Sequence, residues 1–329
     1  MNYPKISIVT PSFNQGKYIE QTILSVLDQH YPNLEYIIID GGSTDETVEI
    51  IKKYSDQITF WISEPDKGQT HAINKGFAKC TGDIFNWINS DDYYEPGTFD
   101  KLALHFNDPS VQVVCGKEWG FDDKNPADKI LHPGSLICKD VYETIQVGII
   151  DQPCTFFRKN CINDFFPLDA SLKYVMDRQL WWSYLLRYGQ EKIKCTGDIF
   201  TYFRLHNQSK SVGDTGLFEP EYDRLKLTLF RQLQLPVILE KQLHNNIAPL
   251  NRFWQIGIEP AEHIATAFAS HYAERNYIKN DLRAVSQLMQ LVFKSRRWSM
   301  SKKEWKFWLL GSLLPTKWVR SAKQIKSKL

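Results

Sequence analysis

The chain has 329 residues, 43% of them hydrophobic and 24% charged, with a formal net charge of +2. That length accommodates one full α/β domain plus a substantial second element, with the composition of a globular protein. The near-balanced charge gives no sign of a nucleic-acid partner, and no run of about 18 apolar residues marks a membrane span. No charged segment followed by an apolar core marks a signal peptide, so a cytoplasmic protein is expected. Cys80, Cys115, Cys138, Cys154, Cys161 and Cys195 lack C-x-x-C spacing, which predicts reduced, mostly buried thiols rather than a zinc site or a disulfide framework.

The first hundred residues alternate strand and helix signals. Ile6 to Val9 reads as a strand, followed by the turn-like Pro11-Ser12-Phe13-Asn14-Gln15-Gly16. Ile19, Ile23, Val26 and Leu27 then recur at helical spacing. Tyr36 to Ile39 is a continuous apolar run of the kind buried on both faces of a parallel sheet. After the turn Asp40-Gly41-Gly42-Ser43-Thr44-Asp45, a helix is predicted over Glu46 to Tyr54, with Ser43 or Thr44 as its cap. Ile58 to Ile62 predicts a third strand, about Thr70 to Ala78 a third helix, and Ile84 to Ile88 a fourth strand. This order implies a mostly parallel, Rossmann-like sheet with helices on both faces, and a ligand cleft at one strand edge.

From about 100 to 205 the pattern is less regular. Val111 to Val114, Thr155 to Phe157 and Ile199 to Phe203 read as strands, and Asp177 to Tyr188 as an aromatic-rich helix ended by Gly189. Beyond about Leu217 the signals are helical. The expected organisation is an α/β domain over 1–215, in two halves (1–100 and 101–215), and a helical region over 216–329. Its tail, 298–329, mixes Trp305, Trp308, Leu309, Leu310, Leu313, Leu314 and Trp318 with many lysines and a single acid, Glu304. Such a segment suits an anionic membrane surface, and equally a packed helix with a basic outer face.

Polar residues follow each predicted strand: Asn14, Asp40, Asp66 and the pair Asp91-Asp92. One alone is a turn former; four along one parallel sheet converge on one edge. Adjacent ionised carboxylates repel and call for a cation. A hard divalent ion such as Mn²⁺ or Mg²⁺, which prefers carboxylate and phosphate oxygens, meets that need and can bridge a diphosphate.

Ile8-Val9-Thr10-Pro11-Ser12-Phe13-Asn14, Ile39-Asp40-Gly41-Gly42-Ser43-Thr44-Asp45, Asp66-Lys67-Gly68-Gln69, Asn74-Lys75-Gly76 and Asn89-Ser90-Asp91-Asp92 together resemble family 2 glycosyltransferases. The resemblance is dense over residues 5 to 100 and continues in patches to about 210. It implies the GT-A fold and inverting sugar transfer from a nucleotide-diphosphate sugar. It further implies that Thr10, Pro11, Phe13 and Asn14 surround the base, and that Asp40 accepts a hydrogen bond from uracil or thymine. Asn74 is expected on the donor side, Asp91 near the ribose and donor sugar, and Asp92 on the metal. Lys173-Tyr174-Val175-Met176-Asp177 matches the region of the family's general base, with Met176 where Glu is common, so Asp177 is the expected base. Arg204-Leu205-His206-Asn207-Gln208-Ser209-Lys210 resembles the stretch that closes the donor site. There His206 completes the metal shell and Arg204 or Lys210 neutralises phosphate. His71 stands where many relatives carry Asp. A UDP-sugar donor and a saccharide or lipid-linked oligosaccharide acceptor in surface-polysaccharide synthesis are expected, with the tail peripheral on the inner membrane face. A nucleotidyltransferase and a catalytically inactive sugar-nucleotide-binding module are the alternatives. The first lacks its glycine-rich phosphate loop, and the second predicts loss of carboxylates that are present.

Overall fold

The computed structural model describes residues 3–207, 209–210, 215–252, 254–258, 261–296 and 300–312. Its first half is built as the apolar pattern predicts. Strands β1 (Ile6–Ser12), β2 (Leu34–Asp40), β3 (Phe60–Ser63) and β4 (Ile84–Trp87) alternate with helices α1 (Ile19–Leu27), α2 (Thr47–Lys53) and α3 (Gln69–Phe77). The four strands lie parallel in the order β3-β2-β1-β4. Ile6 and Ile8 of β1 and Tyr36 and Ile38 of β2 meet Ile19, Ile23 and Val26 of α1 in one buried cluster. On the other face, Gly76 lets α3 lie directly on β1: a Cβ there would stand 2.4 Å from Val9 Cγ1.

This order places the cleft. From β1 the chain adds β2 and β3 on one side, then returns to add β4 on the other. The connections leaving β1 and β4 therefore diverge to opposite sides, opening a crevice at their C-terminal ends, the general ligand position in such sheets. Ser12-Phe13 and Asn89 to Asp92 sit at that crevice.

The second half completes a nine-stranded mixed sheet. It comprises β5 (Tyr93–Tyr94), α4 (Thr98–Phe106), β6 (Val113–Asp122), β7 (Asn125–His132), β8 (Thr155–Arg158), α6 (Met176–Tyr188) and β9 (Ile193–Leu205), with α5 (Val141–Val147) between β7 and β8. β8 runs antiparallel between β4 and β6, while β9 runs parallel to β6. β7 was not anticipated: Asn125 to His132 is exposed almost throughout and lacks the alternation that marks a half-buried strand. Its pairing with β6 holds it in place.

The chain divides into two compact units, one of Met1–Cys138 with Gly148–Glu221, the other of Lys139–Val147 with Tyr222–Leu329. In the second unit α7 (Thr215–Gln232, begun in the first), α8 (Val237–Glu240), α9 (Ala261–Ile278), α10 (Leu282–Arg296) and α11 (Lys302–Ser312) follow one another. The units divide at 221/222 rather than at the expected 215/216, and the second takes in α5, whose Tyr142 ring meets His263 of α9 edge-on at 5.0 Å. In α11, Trp308 stacks on Phe293 at 4.5 Å and Glu304 is buried, while Trp305 and Leu309 remain 36% and 43% exposed. Residues 298–299 and 313–329 of the predicted membrane-surface tail lie outside the described residues. No described helix is long and apolar enough to cross a membrane.

Candidate active site

The crevice opens into a cavity of about 700 Å³. Pro11 and Phe13 lie on its wall, Phe13 59% exposed, while Thr10 and Asn14 stand behind them. Thr10 is buried with its hydroxyl 3.1 Å from that of Tyr36. Asn14 takes a φ of 51° and ties the β1 turn to the β2 turn. Its Oδ1 accepts from the Thr44 N–H at 2.9 Å, and its own N–H donates to Ser43 Oγ at 2.7 Å.

Asp40 differs most from expectation. Its carboxylate accepts from the N–H groups of Gly42 and Ser43 at 3.1 and 2.9 Å, from Ser63 Oγ at 2.6 Å, and from the Ser43 hydroxyl. It is fully buried in its own turn and does not line the cavity. Gly41 does, and a Cβ there would stand 3.3 Å from the Asp66 carboxylate. Asp66 is therefore the acid on the wall at this end, its Oδ1 accepting from the Gly68 N–H at 2.7 Å. Its place after the third strand and the motif Asp66-Lys67-Gly68-Gln69 were the sequence signals for it. Asn74 likewise faces elsewhere, bonding both the carbonyl and the N–H of Leu168 at 2.8 and 2.7 Å.

Asp91 and Asp92 diverge in environment. Asp92 is 1% exposed; Oδ1 accepts from the Arg204 N–H at 2.9 Å and Oδ2 from the Asn89 amide at 3.2 Å. Burial, reinforced by the charges of Asp91 and Glu118, holds its carboxyl well above the usual carboxylate range. His206 Nε2 lies 2.9 Å from Asp91 Oδ2, its ring 4.8 Å from that of Tyr18. The histidine thus meets Asp91 directly rather than Asp92. An adjacent acid pair with an imidazole has the donor chemistry of a divalent-cation site, although its three ligand atoms are not gathered within 4.8 Å of one another as those of Glu118, His132 and Asp151 are.

Arg204 does not present its guanidinium to a phosphate. Nε donates to the Asp91 carbonyl at 2.9 Å, Nη1 to Asp123 at 2.7 Å and Nη2 to Gln21, between the rings of Tyr18 and Phe121. It buttresses the Asp91-Asp92 turn. Lys210 stays on the cavity wall, where Nζ donates to Gln69 Oε1 and to the Lys173 carbonyl, both at 2.7 Å.

Asp177 opens α6 on the cavity wall, and Oδ1 accepts from the Arg178 N–H at 2.7 Å. Burial raises its carboxyl above the usual range, opposed by the charges of Arg178 and Lys210. The segment before it is clamped by Glu221, which sequence reasoning missed. That carboxylate accepts from the N–H groups of Lys173 and Tyr174 at 2.8 Å each and of Val175 at 3.3 Å.

Two further acids line the cavity, Glu118 of β6 and Asp151 before β8. With His132 they place three ligand atoms within 4.8 Å of one another. The neighbouring Gln152 amide donates to Asn86 Oδ1 at 2.7 Å and the Trp87 carbonyl at 2.8 Å, pinning this loop to β4. Nothing local in the sequence joins Glu118 to Asp151; strand pairing does.

Residues 7–166 match the sequence profile of Glycosyl transferase family 2. An uncharacterised glycosyltransferase of Rickettsia typhi is 29% identical over 189 residues, covering 55% of this chain and 59% of that protein. TuaG of Bacillus subtilis, named as a teichuronic acid biosynthesis glycosyltransferase, is 32% identical over 152 residues, covering 45% of this chain and 60% of its own length. The chain thus spans less than two thirds of either relative. Among solved structures, residues 1–349 of S. aureus TarS in complex with UDP-GlcNAc superpose with a TM-score of 0.60 at 17% identity, over 97% of this chain and 92% of that one. The expected GT-A architecture is the one observed, and residues 7–166, just under half of the chain, are similar to glycosyltransferase family 2.

Proposed function

We propose that the chain is an inverting glycosyltransferase that moves a sugar from a nucleotide-diphosphate donor, a UDP-sugar, to a saccharide or lipid-linked acceptor in surface-polysaccharide synthesis. The observation that carries this reading is the single cavity wall shared by Phe13, Asp66, Asp91, Lys210 and Asp177. It joins an exposed aromatic face for a base, a cation for phosphate and a separate carboxylate for the acceptor. The UDP-GlcNAc complex of TarS, which shares the fold, favours uridine, and the name of TuaG favours a polysaccharide product.

In the transfer step the acceptor hydroxyl oxygen bonds to the anomeric carbon as the bond from that carbon to the diphosphate oxygen breaks. Attack opposite the leaving group inverts the configuration, and the hydroxyl proton passes to Asp177. Its burial raises the basicity this requires. Lys210 offers a charge-assisted hydrogen bond to the departing diphosphate. Thr10, Asn14, Asp40 and Asn74 act by shaping the turns around the donor. Asp91, Asp92 and His206 would hold Mn²⁺ or Mg²⁺, which when bound supplies positive charge to the leaving diphosphate. Residues 298–329 are proposed to rest on an anionic membrane surface; equal liposome binding with and without them would refute this.

The test of the reading is a panel of nucleotide sugars incubated with the chain, an oligosaccharide acceptor and Mn²⁺, scored for released nucleoside diphosphate. Turnover of a UDP-sugar is expected. Release of pyrophosphate from a nucleoside triphosphate and a sugar phosphate would instead mark a nucleotidyltransferase.

A further inference from the structure

The transfer step above leaves Glu118, His132 and Asp151 unused. They come from three places in the chain: mid-β6, the last residue of β7, and the loop entering β8. β6 pairs with both β7 and β8, and this alone assembles them. One ligand atom from each lies within 4.8 Å of the other two, and His132 Nδ1 is 3.2 Å from Glu118 Oε1. Ligands about 2.0–2.2 Å from one ion stand roughly 3–4 Å apart, so the three need only a small inward movement to share one.

Charge points the same way. The Glu118 side chain is 3% exposed, and both carboxylates border the cavity. Among the described residues, no lysine or arginine forms an ion pair with either; the partner of Glu118 is the imidazole of His132, 38% exposed and charged only when protonated. Buried carboxylates are held by cations or metals, or else take up a proton. The Asp151 carboxyl is pushed up to about 8 by burial and by the neighbouring Glu118 charge, which is the cost a cation would remove.

The frame around the three is fixed. A Cβ at Gly120 would come within 2.7 Å of His132 Cε1 and 2.8 Å of Nε2, so only a bare glycine backbone lets the ring lie there with Nδ1 aimed at Glu118. On the other side, Ser135 Oγ accepts from the Asp151 N–H at 2.8 Å and lies 2.8 Å from Thr155 Oγ1, which donates to the Asp151 carbonyl at 2.6 Å. Such outer contacts orient the ligands of a metal site.

We propose that Glu118, His132 and Asp151 bind a first-row divalent cation of the Mn²⁺ type on the cavity wall, separate from the Asp91-Asp92-His206 group. Two carboxylates with one imidazole nitrogen suit Mn²⁺ better than the all-oxygen ions Mg²⁺ and Ca²⁺. Glu118 and Asp151 both line the cavity, so a bound ion would lie at its wall.

The test is Mn²⁺ binding to the full chain without nucleotide at pH 8, read by electron paramagnetic resonance of the free ion and by calorimetry. Asp92→Asn is expected to keep one class of Mn²⁺ sites that Glu118→Gln and Asp151→Asn each weaken at least tenfold. His132→Ala, at a part-exposed position, is the second variant should a buried substitution unfold the chain, and it too is expected to weaken that class at least tenfold. The proposal is overturned if these three variants bind Mn²⁺ as the parent does. It is equally overturned if Asp92→Asn alone abolishes all binding, in which case Glu118 and Asp151 share only a proton. These readouts involve no sugar transfer, so they stand or fall apart from the proposed activity.

Discussion

Replacing Asp177 by Asn should separate catalysis from stability. The substitution keeps the shape and an acceptor for the Arg178 N–H, now 2.7 Å from Oδ1, but removes the carboxylate proposed to take the acceptor proton. A positioned general base contributes about 10²- to 10⁴-fold, so transfer should fall by that factor, roughly 2.7–5.5 kcal/mol in barrier. UDP affinity should be unchanged. Stability should move the other way. Burial raises the folded-state pKa of Asp177 above its unfolded value. The neutral form is therefore the one the fold favours, and its advantage is lost as pH rises through the folded pKa. Asn removes that cost, so the variant should melt no lower than the parent at pH 8, with the difference shrinking toward pH 4. For the parent, activity should decline on acidification through a pKa above the usual aspartate value of about 3.9. The assays are initial-rate transfer, calorimetric UDP binding and thermal melts at both pH values. Unchanged transfer, or lost UDP binding together with a lower melting temperature, would refute the assignment.

Glu221→Ala should leave the N–H groups of Lys173 and Tyr174 without their carboxylate. A loss of about 1–3 kcal/mol should show as a lower denaturation midpoint, together with reduced kcat as the segment before Asp177 loosens. Lys210→Met should weaken UDP binding roughly tenfold, the scale of one charge-assisted hydrogen bond, measured by calorimetry; parental affinity would remove Lys210 from the diphosphate site. Gly76→Ala should destabilise by about 1–3 kcal/mol in urea, because the new methyl meets Val9 Cγ1 at 2.4 Å. Cys195 is exposed, and its thiol is brought down to about 7 by the hydrogen bond from Cys115 opposite it on β6. Iodoacetamide at pH 7.5 should label Cys195 first, and Cys115→Ala should slow that labelling.

What was legible in the sequence was what short range encodes. The runs Ile6 to Val9, apart from Ser7, and Tyr36 to Ile39 are apolar because both faces of those strands are covered, so four strands, their helices and the cleft edge followed from pattern alone. Asp40 shows the limit. A carboxylate after a strand reads the same whether it faces a ligand or, as here, is enclosed by the N–H groups of Gly42 and Ser43. Arg204 shows another: its three partners, Asp91, Asp123 and Gln21, are brought to it by folding. β7 escaped notice because exposed strands carry little hydrophobic pattern. Glu118 and Asp151 escaped because sheet pairing, not local spacing, brings them together, and Glu221 because the N–H groups it clamps lie far back in the chain.

The most direct test of the central claim is the donor panel carried out on the parent chain and on Asp177→Asn side by side, with product configuration read by nuclear magnetic resonance. The account predicts that one UDP-sugar yields UDP and a glycosidic product of inverted anomeric configuration, and that the Asn variant binds the same donor but yields about 10²- to 10⁴-fold less product. Retained configuration, or equal product from the two chains, would contradict it.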